Sequence, residues 1–211
     1  MIIVLFGKPG AGKGTQAPLI SKALGAPTLA TGDVLRAARR AGTKLGKEAQ
    51  SFMDRGELVP DSVILGIVAE ELQKSDYASG AILDGVVRTV PQAEGLDKML
   101  AGAGRKVSAV LVFDIDNDEI VRRLSTRTVC EKCQTPYMGR DADSACDNCG
   151  GKLVRRADDE PEAVLNRLRV YEEQTAPVLD WYRKAAQNVA VINAVGNVDD
   201  ITARALSALG K

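Results

Sequence analysis

The chain reads as an α/β protein, a parallel sheet held between two layers of helices and carrying two insertions. Three observations predict this. Short apolar runs without polar alternation recur along the chain, as expected of strands buried on both faces. Helical stretches separate them, which parallel pairing requires. The first run leads directly into a glycine-rich loop and then a helix.

The elements follow in order. "IIVLF" (2–6) is the first buried strand, and 13–24 has apolar positions at helical spacing. "AILD" (81–84), "AVLVFDI" (109–115) and "VAVIN" (189–193) supply the remaining strands. Helices are expected at 32–41, 43–54, 61–73, 89–101, 117–126 and 199–209, with Asp61 as the N-cap of the third. A long helical stretch spans 160–187, with a kink or break at Pro177. Residues 31–59 contain two helices without a convincing strand between them, and 127–158 are polar, turn-rich and cysteine-bearing. Both segments read as insertions into a core built from 1–30, 60–126 and 159–211.

Composition removes several classes of function. Lys plus Arg and Asp plus Glu both total 28 in 211 residues, which argues against a general nucleic-acid binder. No apolar run approaches the ~20 residues of a membrane span, and the first residues lack the pattern of a secretory leader. Four cysteines arranged as two C-x-x-C pairs suggest metal in a reducing cytoplasm. The chain has no histidine, so any chemistry must proceed without the commonest general base.

"GKPGAGKGT" (7–15) can supply such chemistry. Gly7, Gly10, Gly12 and Gly14 allow the backbone to turn its N–H groups, including that of Ala11, toward phosphate oxygens. The following helix presents its positive end, and Lys13 adds a full charge. Against G-x-x-x-x-G-K-[ST], Gly14 follows Lys13 and the hydroxyl comes one residue later, at Thr15. The displaced pattern resembles the nucleoside monophosphate kinases. No N-K-x-D motif of a GTPase occurs.

Five further stretches, in order along essentially the whole chain, resemble the adenylate kinase family. They are "ATGDVLR" (30–36), "RGELVPD" (55–61), "ILDGVVRTVPQ" (82–92), "RRLSTR" (122–127) and "RRADDEPEAVLNRLRVY" (155–171). The resemblance implies a three-layer P-loop fold with 31–59 as a helical monophosphate-binding insertion and 127–158 as a zinc-bearing lid. It implies a magnesium-dependent transfer from ATP to AMP giving two ADP, by a cytoplasmic monomer without membrane or nucleic-acid partners. It puts ATP on the glycine loop, Arg123, Arg127 and Gly196. AMP falls to Thr31, Arg36, the backbone of Glu57, Leu58 and Val59, Gly85, Arg88, Gln92, Arg156 and Arg167. Transfer itself falls to Lys13, Arg88, Arg123, Arg156 and Arg167. Arg122 and Arg155 sit close enough to exchange roles with their neighbours. A kinase for UMP or CMP is the nearest alternative activity, and a zinc-ribbon interaction module with a decayed nucleotide site is the alternative of another class.

The chemistry agrees with the resemblance. Two nucleotides meeting end to end gather negative charge that preorganised Lys and Arg neutralise, and guanidinium groups do so bidentately. The attacking phosphate oxygen is already ionised near neutral pH. Asp84 is either a strand-end carboxylate holding backbone N–H groups or a magnesium partner acting through water. Gln92 is either an ordinary helix residue or a reader of the adenine edge. The family signature has an aromatic residue and a proline where this chain has Val86 and Val87. A cis bond before valine costs ~2.5–4 kcal/mol, so a trans bond or a rebuilt turn is expected there. Lys8 is expected to be solvated.

Cys130, Cys133, Cys146 and Cys149 offer the four thiolates of a closed tetrahedral zinc site, which builds structure and leaves no position for water. Iron can occupy the same sulfurs. Free or disulfide-paired thiols are the other reading, and neither pair has the strand-to-helix setting of a redox C-x-x-C. Lying between Arg127 and Arg156, the knuckle would clasp a flap too small and polar to hold itself by burial. Tyr137 is the one residue inside it expected to pack near the ATP base.

Overall fold

The apolar runs form the interior of one sheet. The structure, a computed structural model, describes residues 1–185 and 188–211. The chain begins with β1 (Ile2–Gly7), α1 (Lys13–Leu24), β2 (Thr28–Ala30), α2 (Thr31–Arg40), α3 (Lys44–Asp54) and α4 (Asp61–Leu72). It continues through β3 (Ala81–Asp84), α5 (Val90–Gly102), β4 (Val107–Asp114) and α6 (Asn117–Ser125). The lid strands β5 (Arg127–Cys130), β6 (Pro136–Met138) and β7 (Leu153–Val154) follow. Then come α7 (Pro161–Val170), a wide π turn (Tyr171–Thr175), α8 (Ala176–Lys184), β8 (Val189–Asn193) and α9 (Val198–Ala208).

Five strands pair in parallel in the order β2-β3-β1-β4-β8. Alternate residues of β1 enter opposite helical layers, as the pleat demands. Ile2, Val4 and Phe6 pack with Leu83, Leu96 and Tyr182. Ile3 and Leu5 pack with Ile20, Leu111, Phe113 and Ile120. Both faces of β1, β3 and β4 are covered, so these strands show no polar alternation; the edge strand β8 departs from the expected buried strand, since only Ile192 is buried and Val191 points to solvent. The register Leu5↔Asp84 and Gly7↔Phe113 brings the glycine loop and Asp84 to one carboxyl edge, where open parallel sheets bind ligands. No helix among the described residues is long and apolar enough to cross a membrane.

Several expectations need correction. β2 was not expected: only Leu29 of its three residues is buried, and its pairing with β3 defines it. The lid is not merely turns, since β6-β5-β7 form a small antiparallel sheet. The long helical stretch is interrupted beside Pro177, as expected, but by a π turn and not at the proline itself. That residue lies in the first turn of α8, and the irregularity is the π turn just before it, which absorbs the missing N–H. The last two residues expected in that helix, 186 and 187, lie outside the described residues. Asp61 does not cap α4, because Pro60 holds the cap position without a side-chain bond.

Candidate active site

The glycine loop wraps around its own lysine. Lys13 Nζ donates to the carbonyls of Gly7 (2.6 Å) and Lys8 (2.9 Å). Gly7 sits at φ +139° with Phe113 O only 2.5 Å from where a Cβ would lie, so only glycine lets the loop leave β1 here. Burial pushes the Lys13 ammonium down to about 8; Asp84 opposes the shift, while Arg88, Arg167 and Arg127 add to it. Burial likewise raises the Asp84 carboxyl, with Lys13 and Arg88 opposing. Lys8 is partly buried and paired, not freely solvated as expected. Its ammonium reaches Asn117 Oδ1 (2.8 Å) on α6 and Glu172 (3.5 Å) in the π turn.

Facing Lys13 across a single cavity are Arg36, Arg88, Arg127, Arg156 and Arg167. A pair of aspartates at the root of the lid arranges two of them. Arg127 grips Asp159 bidentately, its Nε at 2.7 Å from Oδ2. Arg167 Nη1 donates to the Asp158 carbonyl (2.7 Å) and to Asp159 Oδ1 (3.1 Å). Burial opposes ionisation of Asp158, yet Arg167, Arg156, Arg127 and Arg36 outweigh it and hold the carboxyl below its usual value. Arg156 is pushed down to about 9 by burial and then by Arg36 and Arg127. The Nε atoms of both Arg36 and Arg156 are buried without a partner. Such a concentration of positive charge favours the entry of anions.

One wall of the cavity is formed by 31–59 and the turn after β3. Thr31 Oγ1 donates to the Gly85 carbonyl at 2.9 Å. Leu58 and Val59 line the wall with Met53 and Ile64, and Glu57 pairs with Arg55 at the rim. Gln92 is buried at the cavity's edge. Its Oε1 accepts from the Arg88 N–H (2.7 Å), and its Nε2 donates to Asp61 (2.8 Å). No peptide bond among the described residues is cis, and Val86 and Val87 are buried in the core. Arg88, next in sequence, extends back over Gly85 and donates to its carbonyl at 3.2 Å.

The four cysteine sulfurs all lie within 4.8 Å of one another, with Cys130–Cys149 at 3.4 Å and Cys133–Cys146 at 3.5 Å. Tetrahedral ligation at about 2.3 Å per Zn–S bond separates sulfurs by about 3.8 Å, so the cluster fits one zinc ion. Gly150 at φ +68° closes the second knuckle, its N–H bonding Cys146 O at 2.8 Å. Tyr137 corrects expectation: its hydroxyl is 3.2 Å from Cys146 Sγ and accepts from the Asp147 N–H, away from the cavity. Strand alternation explains this, since its neighbours Pro136 and Met138 on β6 face the cavity.

Most of the sequence-predicted residues thus meet in one place. Gly10, Gly12, Gly14 and Thr15 line the cavity beside Lys13, and Asp84 and Gly85 lie opposite. Ala11 is buried beneath the loop. Arg123 and Gly196 lie outside the cavity. Arg123 is held behind the loop by Glu119 (2.8 Å) and by the carbonyl of Ala194 (3.0 Å), two residues before Gly196. Arg122 and Arg155 stay at the surface, bonded to Glu119 and to the Ser125 carbonyl. Sequence reasoning missed Asp33, which pairs with Arg36, and the Asp61–Gln92 link. Both lie in stretches already singled out, but nothing in the sequence shows that their carboxylates pair with Arg36 and Gln92.

A glycine loop and lysine opposed by five convergent arginines make a cavity suited to highly charged phosphate groups, as in phosphotransferases. Comparison with known proteins supplies the family. A family model described as adenylate kinase matches residues 5–187. A relative named adenylate kinase from Gemmatimonas aurantiaca is 56% identical over 211 residues, covering 99% of each chain. One from Methanothrix thermoacetophila is 48% identical over 205 residues, covering 95% of this chain and 94% of its own. One from Trichlorobacter lovleyi is 47% identical over 213 residues, covering 99% of each. The chain belongs to the adenylate kinase family, whose reaction is reversible phosphoryl transfer from ATP to AMP giving two ADP.

Proposed function

We propose that ATP lies along the glycine loop and β5, that AMP lies against 31–59, Gly85 and Gln92, and that their phosphates meet inside the arginine ring. The observation that carries this reading is the convergence of Lys13, Arg36, Arg88, Arg127, Arg156 and Arg167 on one cavity, two of them with buried, unpartnered Nε atoms. An ionised oxygen of AMP attacks the terminal phosphorus of ATP, the bond to the bridging oxygen breaks, and ADP leaves with the electron pair. Lys13 has its charge reinforced by the phosphates, and the guanidinium groups hold the transferring oxygens in place of water. No general base is required. Arg123 supports the loop from behind and reaches the donor only if the lid root shifts.

Asp84 suits magnesium, a cation that takes one carboxylate plus substrate phosphates and keeps its waters; the carboxylate lies beside Gly14 at the mouth of the loop. The ion would neutralise phosphate charge that the arginines do not reach. Zinc is the preferred ion for the four cysteines and serves as a clasp for the lid, which closes over the transferring group and shields it from water. Gln92 reads adenine by exchanging its bond to Asp61 for one to the base. The balanced charge speaks against a nucleic-acid partner, and four cysteines held without disulfides support a reducing cytoplasm. The test is ADP formation from ATP and magnesium with AMP, UMP, CMP and GMP in turn, with metal content measured on the same sample. AMP should be preferred and about one zinc bound per chain. Equal use of UMP or CMP would overturn the acceptor assignment.

A further inference from the structure

We propose that Asn166 is a positioning residue that latches the 31–59 arm onto α7 and so sets the acceptor end of the cavity. This rests on the reading of that arm as the acceptor site. Asn166 Nδ2 donates to the Arg55 carbonyl at 2.6 Å, joining points 111 residues apart. Its other end is fixed as well: Arg169 Nη2 donates to Asn166 Oδ1 at 2.8 Å and is itself paired with Glu173. The amide therefore has one orientation, with its donor aimed at the arm.

The next residue of the arm shows how closely the two surfaces meet. Gly56 sits at φ +70°, and a Cβ there would lie 2.7 Å from both Ala163 O and Arg167 Cγ. Backbone thus rests directly on α7 one turn around from the latch, because residues 163, 166 and 167 share one face of the helix. Glu57, Leu58 and Val59 then run on into the cavity wall. The same stretch of helix that receives the arm also aims the Arg167 guanidinium at the phosphates. A change in the arm's seat is felt at once by the acceptor wall and the Arg167 stem.

A latch is useful because the site is enclosed. Arg167 is only 16% exposed and Arg127 11%, so lifting the arm or the lid from α7 would open both further to a nucleotide. The Asn166–Arg55 bond exists when the arm is down and is exchanged for water when it lifts. A single such bond is worth little to folding, yet it biases a two-position element directly.

Steady-state kinetics on the full chain test this with Asn166→Ala, with the isosteric Asn166→Asp, which turns an acceptor toward the Arg55 carbonyl, and with Arg36→Ala as reference. Both Asn166 variants should raise the KM for AMP about threefold to tenfold, the scale of one lost hydrogen bond, with the KM for ATP and the Tm unchanged. Arg36→Ala should raise the KM for AMP as well. If Arg36→Ala does so and Asn166→Ala does not, the latch is refuted while the arm assignment stands. If neither changes it, both fall. If Asn166→Ala lowers the Tm and weakens both substrates alike, the residue is a prop for α7 and not a latch.

Discussion

Asp159 is the residue on which the arginine ring most depends. Its side chain is 4% exposed, grips Arg127 bidentately and accepts a further bond from Arg167. Asp159→Asn keeps the shape but removes the charge, leaving two largely buried guanidinium groups with only Asp158 between them. Removing one partner of a buried pair outright costs ~3–5 kcal/mol. Here Asn retains one acceptor and Asp158 remains, so the loss should be nearer ~2–3 kcal/mol, the scale of charged hydrogen bonds. For a chain of this length that corresponds to a Tm lowered by about 5–10 °C. Because the lid root is no longer tied to α7, kcat/KM for ATP should fall about 10²-fold, as when one preorganised charge partner is lost. Saturating ATP should recover part of the thermal loss, since its phosphates replace the missing anion for both arginines. Thermal unfolding with and without nucleotide reads the first effect and initial rates the second. A variant that melts with the wild type and turns over normally would refute Asp159 as the organiser of the ring.

Other outcomes follow from the same geometry. Cys130→Ser or chelation should lower the Tm sharply while leaving kcat, measured below the transition, nearly unchanged, because none of the four clustered cysteines lines the cavity; loss of turnover with an unaltered melting curve would contradict the clasp. Lys13, at about 8 against 10.5 for a free lysine, binds fewer protons folded than unfolded between those values. On its own this group makes stability rise with pH across that window. ATP restores its charge, so calorimetry above about pH 8 in two buffers of different ionisation heat should show proton uptake on binding. No uptake would remove Lys13 from the phosphates.

What was legible in the sequence was what is encoded locally. The glycine spacing around Lys13, the buried strand runs and the paired C-x-x-C units each carry their chemistry within twenty residues or fewer. What was hidden depends on distant register. Thr28–Ala30 becomes a strand only against β3, with Thr28 opposite Ile82. Asp61 looks like a cap until α5 brings Gln92 to it. Lys8 looks solvated until α6 and the π turn close over it. Tyr137 was misdirected because a three-residue strand in a turn-rich segment shows no alternation to read. Arg122 and Arg123 are indistinguishable as letters, and helical phase alone sends the first to solvent and the second behind the glycine loop.

The most direct measurement is the single-turnover rate of ADP formation by Arg88→Ala with ATP, AMP and magnesium all saturating. Arg88 stands among the residues facing Lys13 and extends back over Gly85, while the neighbouring Val86 and Val87 stay in the core, so the fold should survive its loss. If a preformed arginine ring stabilises the transferring phosphoryl group, the rate falls about 10²-fold or more while the Tm holds. A near-normal rate in a fully folded variant would contradict the account.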